Sequence, residues 1–201
     1  DDKVFVPRSV VNTISHAKDS LMSAEEFARV NTKDYKLASV ARIYEKYAKT
    51  LEDANAVDFD DIIFRTVNLL KNNVEAREYF QRRFKYVCID EYQDTNKAQF
   101  ELAGLLAGKY RNLMVVGDED QSIYKFRGAT IENILTFNKT FEDAKVIKLE
   151  QNYRSTQAIL NAANAVIAHN IGRKGKRLWT ANGEGQPITV YEADNESSEA
   201  N

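Results

Sequence analysis

The sequence has little cysteine, little histidine, almost no net charge and no long apolar run. A single cysteine, Cys88, excludes an internal disulfide and fits a reducing compartment. Lying in a short apolar run, it is expected as a small core residue. The two histidines, His16 and His169, stand alone without metal-ligand spacing. A net charge of -2 excludes a global attraction to nucleic acid, so any DNA contact must come from a few placed side chains. No apolar stretch approaches a membrane span, and the opening DDKVFVPRSV lacks the basic and apolar regions of a signal peptide. The first residue is not Met, which suits a piece of a longer protein. There is no internal repeat and no long low-complexity segment.

What is present suits a globular chain with a real core: 201 residues, 43% apolar and 29% charged. The first eighty or so residues carry helical periodicity. Val10, Ile14, Ala17 and Leu21 share a face, as do Leu37, Val40, Ala41, Tyr44, Tyr47, Ala48 and Leu51. Ser23 with Glu26 forms a capping-box pattern. The acidic run Asp58, Asp60 and Asp61 reads as a helix start, where the dipole favours negative charge, rather than a metal site. After Arg83 the pattern changes. YVCID (86–90), LMVV (113–116) and VIKL (146–149) read as buried strands, and 95–109, 130–137 and 155–170 read as helices. Alternating strand and helix predicts parallel βαβ units. A polar, glycine-rich stretch at 174–187 reads as a linker, and ITVY (188–191) as a last strand.

Three segments carry chemistry. Asp90-Glu91 ends the first predicted strand, and ligands in open parallel sheets sit beyond the carboxyl ends of strands. One carboxylate there could hold Mg²⁺ and the other could deprotonate a water attacking a phosphate. Acidic turns end many strands, so this pair alone decides nothing. The second segment, VVGDEDQSIYKFRGA (115–129), follows the next strand, which would bring Asp118 through Gln121 to the same rim. Tyr124, Phe126 and Arg127 combine rings with a cation, as base stacking and phosphate contact require; as core residues the rings are an equal reading. The third segment, LEQNYRST (149–156), places Tyr153 and Arg154 at a strand-to-helix turn. There Arg154 could fork onto a phosphate, although a lone arginine more often pairs with a surface acid.

IDEYQDTN, GDEDQSIYKFRGA and LEQNYRST, in this order and spacing, resemble the second, third and fourth helicase motifs of the UvrD/Rep/PcrA family of superfamily-one DNA translocases. The preceding stretch, with PRSVVNTISHAKDSL and AVDFDDII, is similar to the helical insertion on the first motor domain; NIGRKGKRLWT resembles the segment leading into the second. The resemblance implies an α/β fold: a truncated RecA-like P-loop NTPase parallel sheet with an N-terminal, mostly α-helical subdomain. It implies residues 1–84 as part of the helical insertion, 85–172 as the latter part of the first motor domain, and 173–201 as linker and start of the second. It implies ATP and Mg²⁺, with Asp90 binding the metal, Glu91 as catalytic base in its second shell, Gln121 sensing the γ-phosphate, Tyr153 against adenine and Arg154 on the γ-phosphate. Tyr124 and Phe126 would stack on single-stranded DNA beside Arg127. Phe126 stands where the family often carries Trp, so stacking should persist with less ring area. The implied activity is a 3′–5′ translocase and helicase in DNA repair or replication. It would act on single-stranded DNA and duplex junctions in the bacterial cytosol, near the nucleoid, with repair proteins as possible partners.

The phosphate-cradling string G-x-x-x-x-G-K-[ST] is missing. Gly104 to Tyr110 is one residue short and lies in a predicted helix. The isolated chain is therefore expected to be inactive, with weak nucleotide affinity and an exposed sheet edge. The competing reading is a non-catalytic DNA- or protein-binding module, carried by Tyr124, Phe126, Arg127 and the basic residues Arg173, Lys174, Lys176 and Arg177.

Overall fold

The computed structural model describes residues 5–124, 128–170 and 175–200. The chain divides into two compact units, Asp1–Thr140 and Phe141–Asn201.

The first unit opens with five helices: α1 (Pro7–Asp19), α2 (Ala24–Val30), α3 (Tyr35–Asp53), α4 (Phe59–Asn72) and α5 (Val74–Arg83). Their starts follow local chemistry. Pro7 occupies the first turn of α1, where its missing N–H costs nothing. Ser23 and Glu26 close the expected capping box on α2, with bonds of 3.1 and 2.8 Å. Asp34 accepts from the Leu37 N–H and Asp58 from the Asp61 N–H, so the acidic run is indeed a helix start. The apolar stripes then meet in one core of Val10, Ile14 and Ala17 from α1, Phe27 from α2, and Val40, Ala41 and Tyr44 from α3. Phe27 and Tyr44 pack edge to face at 6.2 Å, and the buried Tyr44 hydroxyl donates to the Met22 carbonyl.

Beside this core lies a polar cluster that periodicity does not reveal. Lys18 is 2% exposed and bridges Asp58 (2.6 Å) and Asp61 (2.9 Å). The Tyr47 hydroxyl donates to Asp58, and Arg65 approaches Asp61 at 3.3 Å. Burial by itself would raise the Asp58 pKa; the Lys18, Asp61 N–H and Tyr47 hydrogen bonds outweigh it and hold the carboxyl below its ordinary value.

Among the described residues the sheet has two strands, β1 (Val87–Ile89) and β2 (Leu113–Val115), paired in parallel with Cys88 opposite Met114. The crossover is α6 (Lys97–Ala107), whose start is closed by reciprocal Asn96 and Gln99 bonds. Gly104 lies inside α6 and Gly108 ends it, so the near-match to a phosphate loop is helix. Two short helices complete the unit, α7 (Glu132–Leu135) and α8 (Phe137–Thr140).

Cys88 is exposed, which corrects the expectation of a core residue. It shares a bare apolar face with Met114, 57% exposed, because no described element covers that side of the pair.

In the second unit, α9 (Gln157–Ile167) forms as expected, and a short α10 (Glu196–Glu199) lies near the end. The predicted strands at 146–149 and 188–191 do not form; Ile147 is 69% and Val190 89% exposed. Their composition suits a buried strand, yet a strand exists only with a hydrogen-bonding neighbour, and the described residues offer none. Among the described residues of this unit, the one ladder contact is an isolated bridge between Gln151 and Trp179. Among the described residues no helix is long and apolar enough to cross a membrane.

Candidate nucleotide site

The first two motifs lie side by side at the carboxyl ends of β1 and β2. Beyond β1 the chain enters Asp90 and Glu91, then one 3-10 turn at Tyr92–Asp94. Glu91 has φ 50° and ψ 41°, a left-handed conformation that a non-glycine residue adopts at a cost of about 1 kcal/mol. The Asp90 carboxylate accepts from the Glu91 N–H at 2.9 Å, and the Tyr92 N–H reaches the Val116 carbonyl. These bonds pin the turn while leaving both acidic side chains exposed.

Beyond β2, Gly117 and Asp118 lead into a second 3-10 turn, Glu119–Gln121. Asp118 accepts from the Asp120 N–H and from the Gln121 side-chain amide at 2.7 Å. The link between the two turns is Gln93, a residue the sequence reading passed over. It is 1% exposed. Its Nε2 donates to Glu91 at 2.8 Å and to Asp94 at 3.3 Å, and its Oε1 accepts from the Asp118 N–H at 2.9 Å. Gly117 makes room for it: a Cβ there would lie 2.7 Å from Gln93 Oε1 and 2.9 Å from Ile134 Cδ1. The one sequence signal was a glutamine between two acids in EYQD.

The second motif also touches α1. Gly128, at φ 84°, approaches closely enough that a Cβ would meet Asp19 Oδ2 at 3.0 Å. Asn96, from the first motif, donates to Asp19 Oδ1 at 2.6 Å. Burial, then the nearby Asp60 charge, pushes the Asp19 carboxyl up to about 6, with His16 opposing. A carboxyl with a raised folded pKa binds its proton more tightly in the folded chain. Stability on this account falls as pH rises from about 4 to about 6, then levels off. D19N is expected to gain on wild type across that interval and to hold the gain above it. Urea titrations of both proteins at several pH values check this; a constant difference would contradict it. Tyr124 is described and 38% exposed, while Phe126 and Arg127 lie outside the described residues.

The third motif belongs to the second unit. Asn152 builds its turn: the Asn152 N–H donates to the Trp179 carbonyl, and its side-chain oxygen accepts the Arg154 and Ser155 N–H groups at 2.9 and 2.7 Å. The Asn182 amide holds the Tyr153 and Ser155 carbonyls from the other side. The turn leaves Tyr153 79% exposed and Arg154 exposed, the latter without an ion-pair partner among the described residues. Trp179 thus works through its backbone. Of the basic stretch, Arg173 and Lys174 lie outside the described residues.

A chain that ends two neighbouring parallel strands in acid- and amide-bearing turns has the plan of an α/β helicase motor domain. It belongs to the UvrD/REP helicase family: the family model described as "UvrD/REP helicase N-terminal domain" matches residues 1–142, and "UvrD-like helicase C-terminal domain" matches 147–201. Among curated proteins, it is similar to the ATP-dependent DNA helicase PcrA of Staphylococcus epidermidis (strain RP62A), 52% identical over 200 residues that cover 100% of this chain and 27% of that protein. PcrA of Staphylococcus aureus (strain Mu50) is 51% identical with the same coverage. The chain therefore spans about a quarter of the length of these relatives.

Proposed function

We propose that this chain is part of an ATP-dependent, 3′–5′ single-stranded-DNA translocase and helicase acting in DNA repair or replication. The observation that carries the proposal is the pairing of the Glu91 turn with the Asp118–Gln121 turn across the ends of β1 and β2. In this reading Glu91 takes the proton from the water that attacks the γ-phosphorus, and Gln121 contacts the γ-phosphate. Arg154 offers its exposed guanidinium fork to a γ-phosphate oxygen, and Tyr153 lays its exposed ring against adenine.

Asp90 is the residue that would hold Mg²⁺. The donor set fits: Mg²⁺ takes one or two carboxylates, with phosphate oxygens and water completing its shell, rather than a protein cage. Among the described residues no group of three or more His, Cys, Asp or Glu side chains gathers, here or elsewhere, so the protein would supply only the carboxylate. When bound, the metal would neutralise phosphate charge; Glu91 would stay in its second shell.

Tyr124, Phe126 and Arg127 are assigned to the DNA track, coupling it to the nucleotide site. The assigned organisation is helical insertion at 1–84, motor segment at 85–172, and linker with the start of the second motor domain at 173–201. The junction of the two family models between 142 and 147 is a candidate for an earlier start of that second domain. No phosphate-cradling loop lies within the sequence, so the chain alone is not expected to turn over ATP.

The test is strand displacement by the complete protein on duplexes with a 3′ or a 5′ single-stranded tail. DNA-stimulated ATP hydrolysis with unwinding from the 3′ tail supports the proposal; no hydrolysis, or unwinding from the 5′ tail alone, contradicts it. F126A is expected to keep ATP hydrolysis while base pairs opened per ATP drop several-fold, since stacking contributes about 1–3 kcal/mol per base. Unchanged unwinding per ATP in a coupled assay would remove the stacking role.

A further inference from the structure

Between the two motifs sits one buried side chain that no step above uses. Gln93 is 1% exposed, and both ends of its amide are engaged. Its orientation is set by chemistry, because the Glu91 and Asp94 carboxylates only accept and the Asp118 N–H only donates. A bond chain therefore runs from Glu91 through Gln93 to Asp118, and from Asp118 Oδ2 to the Gln121 amide. We propose that Gln93 is a positioning residue for ATP hydrolysis: its amide aims the Glu91 carboxylate and ties it to the loop carrying Gln121, so that the base and the phosphate contact move as one. This rests on the function proposed above.

Three features of the site fit this role better than plain packing. Glu91 is exposed and its side chain has several staggered rotamers open to it, so its carboxylate needs an external tether to keep one direction. Gln93 supplies a tether of 2.8 Å. Apolar side chains could fill the same space, yet they would leave the Asp118 N–H without its acceptor. Gly117 keeps clear the space that Gln93 Oε1 occupies.

The test uses the complete helicase with saturating single-stranded DNA and compares wild type, Q93L, Q93E, G117A and E91Q. Q93L is expected to lower kcat by on the order of 10²-fold, the effect of misplacing a reacting group by about 1 Å, with KM for ATP changed less than about threefold. G117A should do the same more weakly by pushing on the amide from outside. Q93E is the discriminating variant, because it keeps size and shape. Protonated, its carboxyl can donate to Glu91 and accept from Asp118 as the amide does. Ionised, it faces two carboxylates. Its kcat relative to wild type should therefore rise as pH falls from about 9 to about 6, since lower pH restores the donor. A Q93E ratio that is flat across pH, or Q93L turnover within about threefold of wild type while E91Q is dead, overturns the inference and leaves the proposed function standing. Substantial turnover in E91Q overturns the function beneath it. Should Q93L fail to fold in a thermal melt, the isosteric Q93E profile decides.

Discussion

Replacing Glu91 with Gln in the complete helicase is expected to lower kcat for ATP hydrolysis by about 10³-fold, within the range that a positioned general base contributes. ATP and DNA affinity should remain close to wild type. The geometry explains why the two effects separate. Glu91 is exposed, so the change empties no core. Gln retains an oxygen that can accept from Gln93 Nε2, so the bond now at 2.8 Å survives. The backbone at φ 50° suits Gln no worse than Glu. Only the capacity to take a proton is lost. Steady-state ATPase beside binding of a fluorescent ATP analogue measures both quantities. Turnover within a few-fold of wild type would remove Glu91 from the base role.

Lys18→Met is the second large effect, and it concerns stability. Its ammonium compensates two carboxylates, Asp58 at 22% and Asp61 at 4% side-chain exposure. Methionine fills the volume but leaves both acids without that cation, a loss of about 3 kcal/mol at neutral pH. Arg65 at 3.3 Å and the Tyr47 hydroxyl mitigate it only in part. The pH dependence follows from the sign of the Asp58 shift. A depressed carboxyl stabilises the fold above its unfolded pKa, about 3.8 for the free group, and the contribution is lost as pH falls through the lower folded value. In the variant Asp58 loses the cation that holds its carboxyl down and can protonate instead, so the deficit should be full near neutrality and shrink toward acid pH. Urea titrations of the two proteins at several pH values measure this. Adding D58N and D61N should recover most of the loss; a deficit that the added changes leave untouched would show that packing, not charge, is responsible.

The parts legible in the sequence are those governed by local rules. The Ser23–Glu26 capping box, the apolar stripes and the paired strands at 87–89 and 113–115 follow from residue type and spacing over a few positions. The parts that were not legible depend on distant neighbours. VIKL looks like a strand because its composition fits one, but a strand also needs a partner backbone. Cys88 looked buried because its neighbours are apolar; which face of a two-stranded pair is covered is a tertiary fact. Lys18 sits among the apolar positions of α1, and only its two partners, forty or more residues away, explain its burial. The exposed groups proposed for nucleotide chemistry, Asp90, Glu91, Gln121 and Arg154, were named from residue type and motif position. Gln93 and Asn152, the buried and turn-forming residues beside them, were not, and Asp118 was placed on the rim without its bonding role, because a polar residue in a motif does not announce which neighbour it will bond.

The central proposal is that the Glu91 and Asp118–Gln121 turns serve one nucleotide, and it is tested most directly by a crystal structure of the complete protein with Mg²⁺ and a non-hydrolysable ATP analogue. The account predicts the Glu91 carboxylate at about 3 Å from a water in line with the γ-phosphorus, with Gln121 on a γ-phosphate oxygen. A nucleotide bound with Glu91 and Gln121 both beyond reach of the γ-phosphate would contradict it.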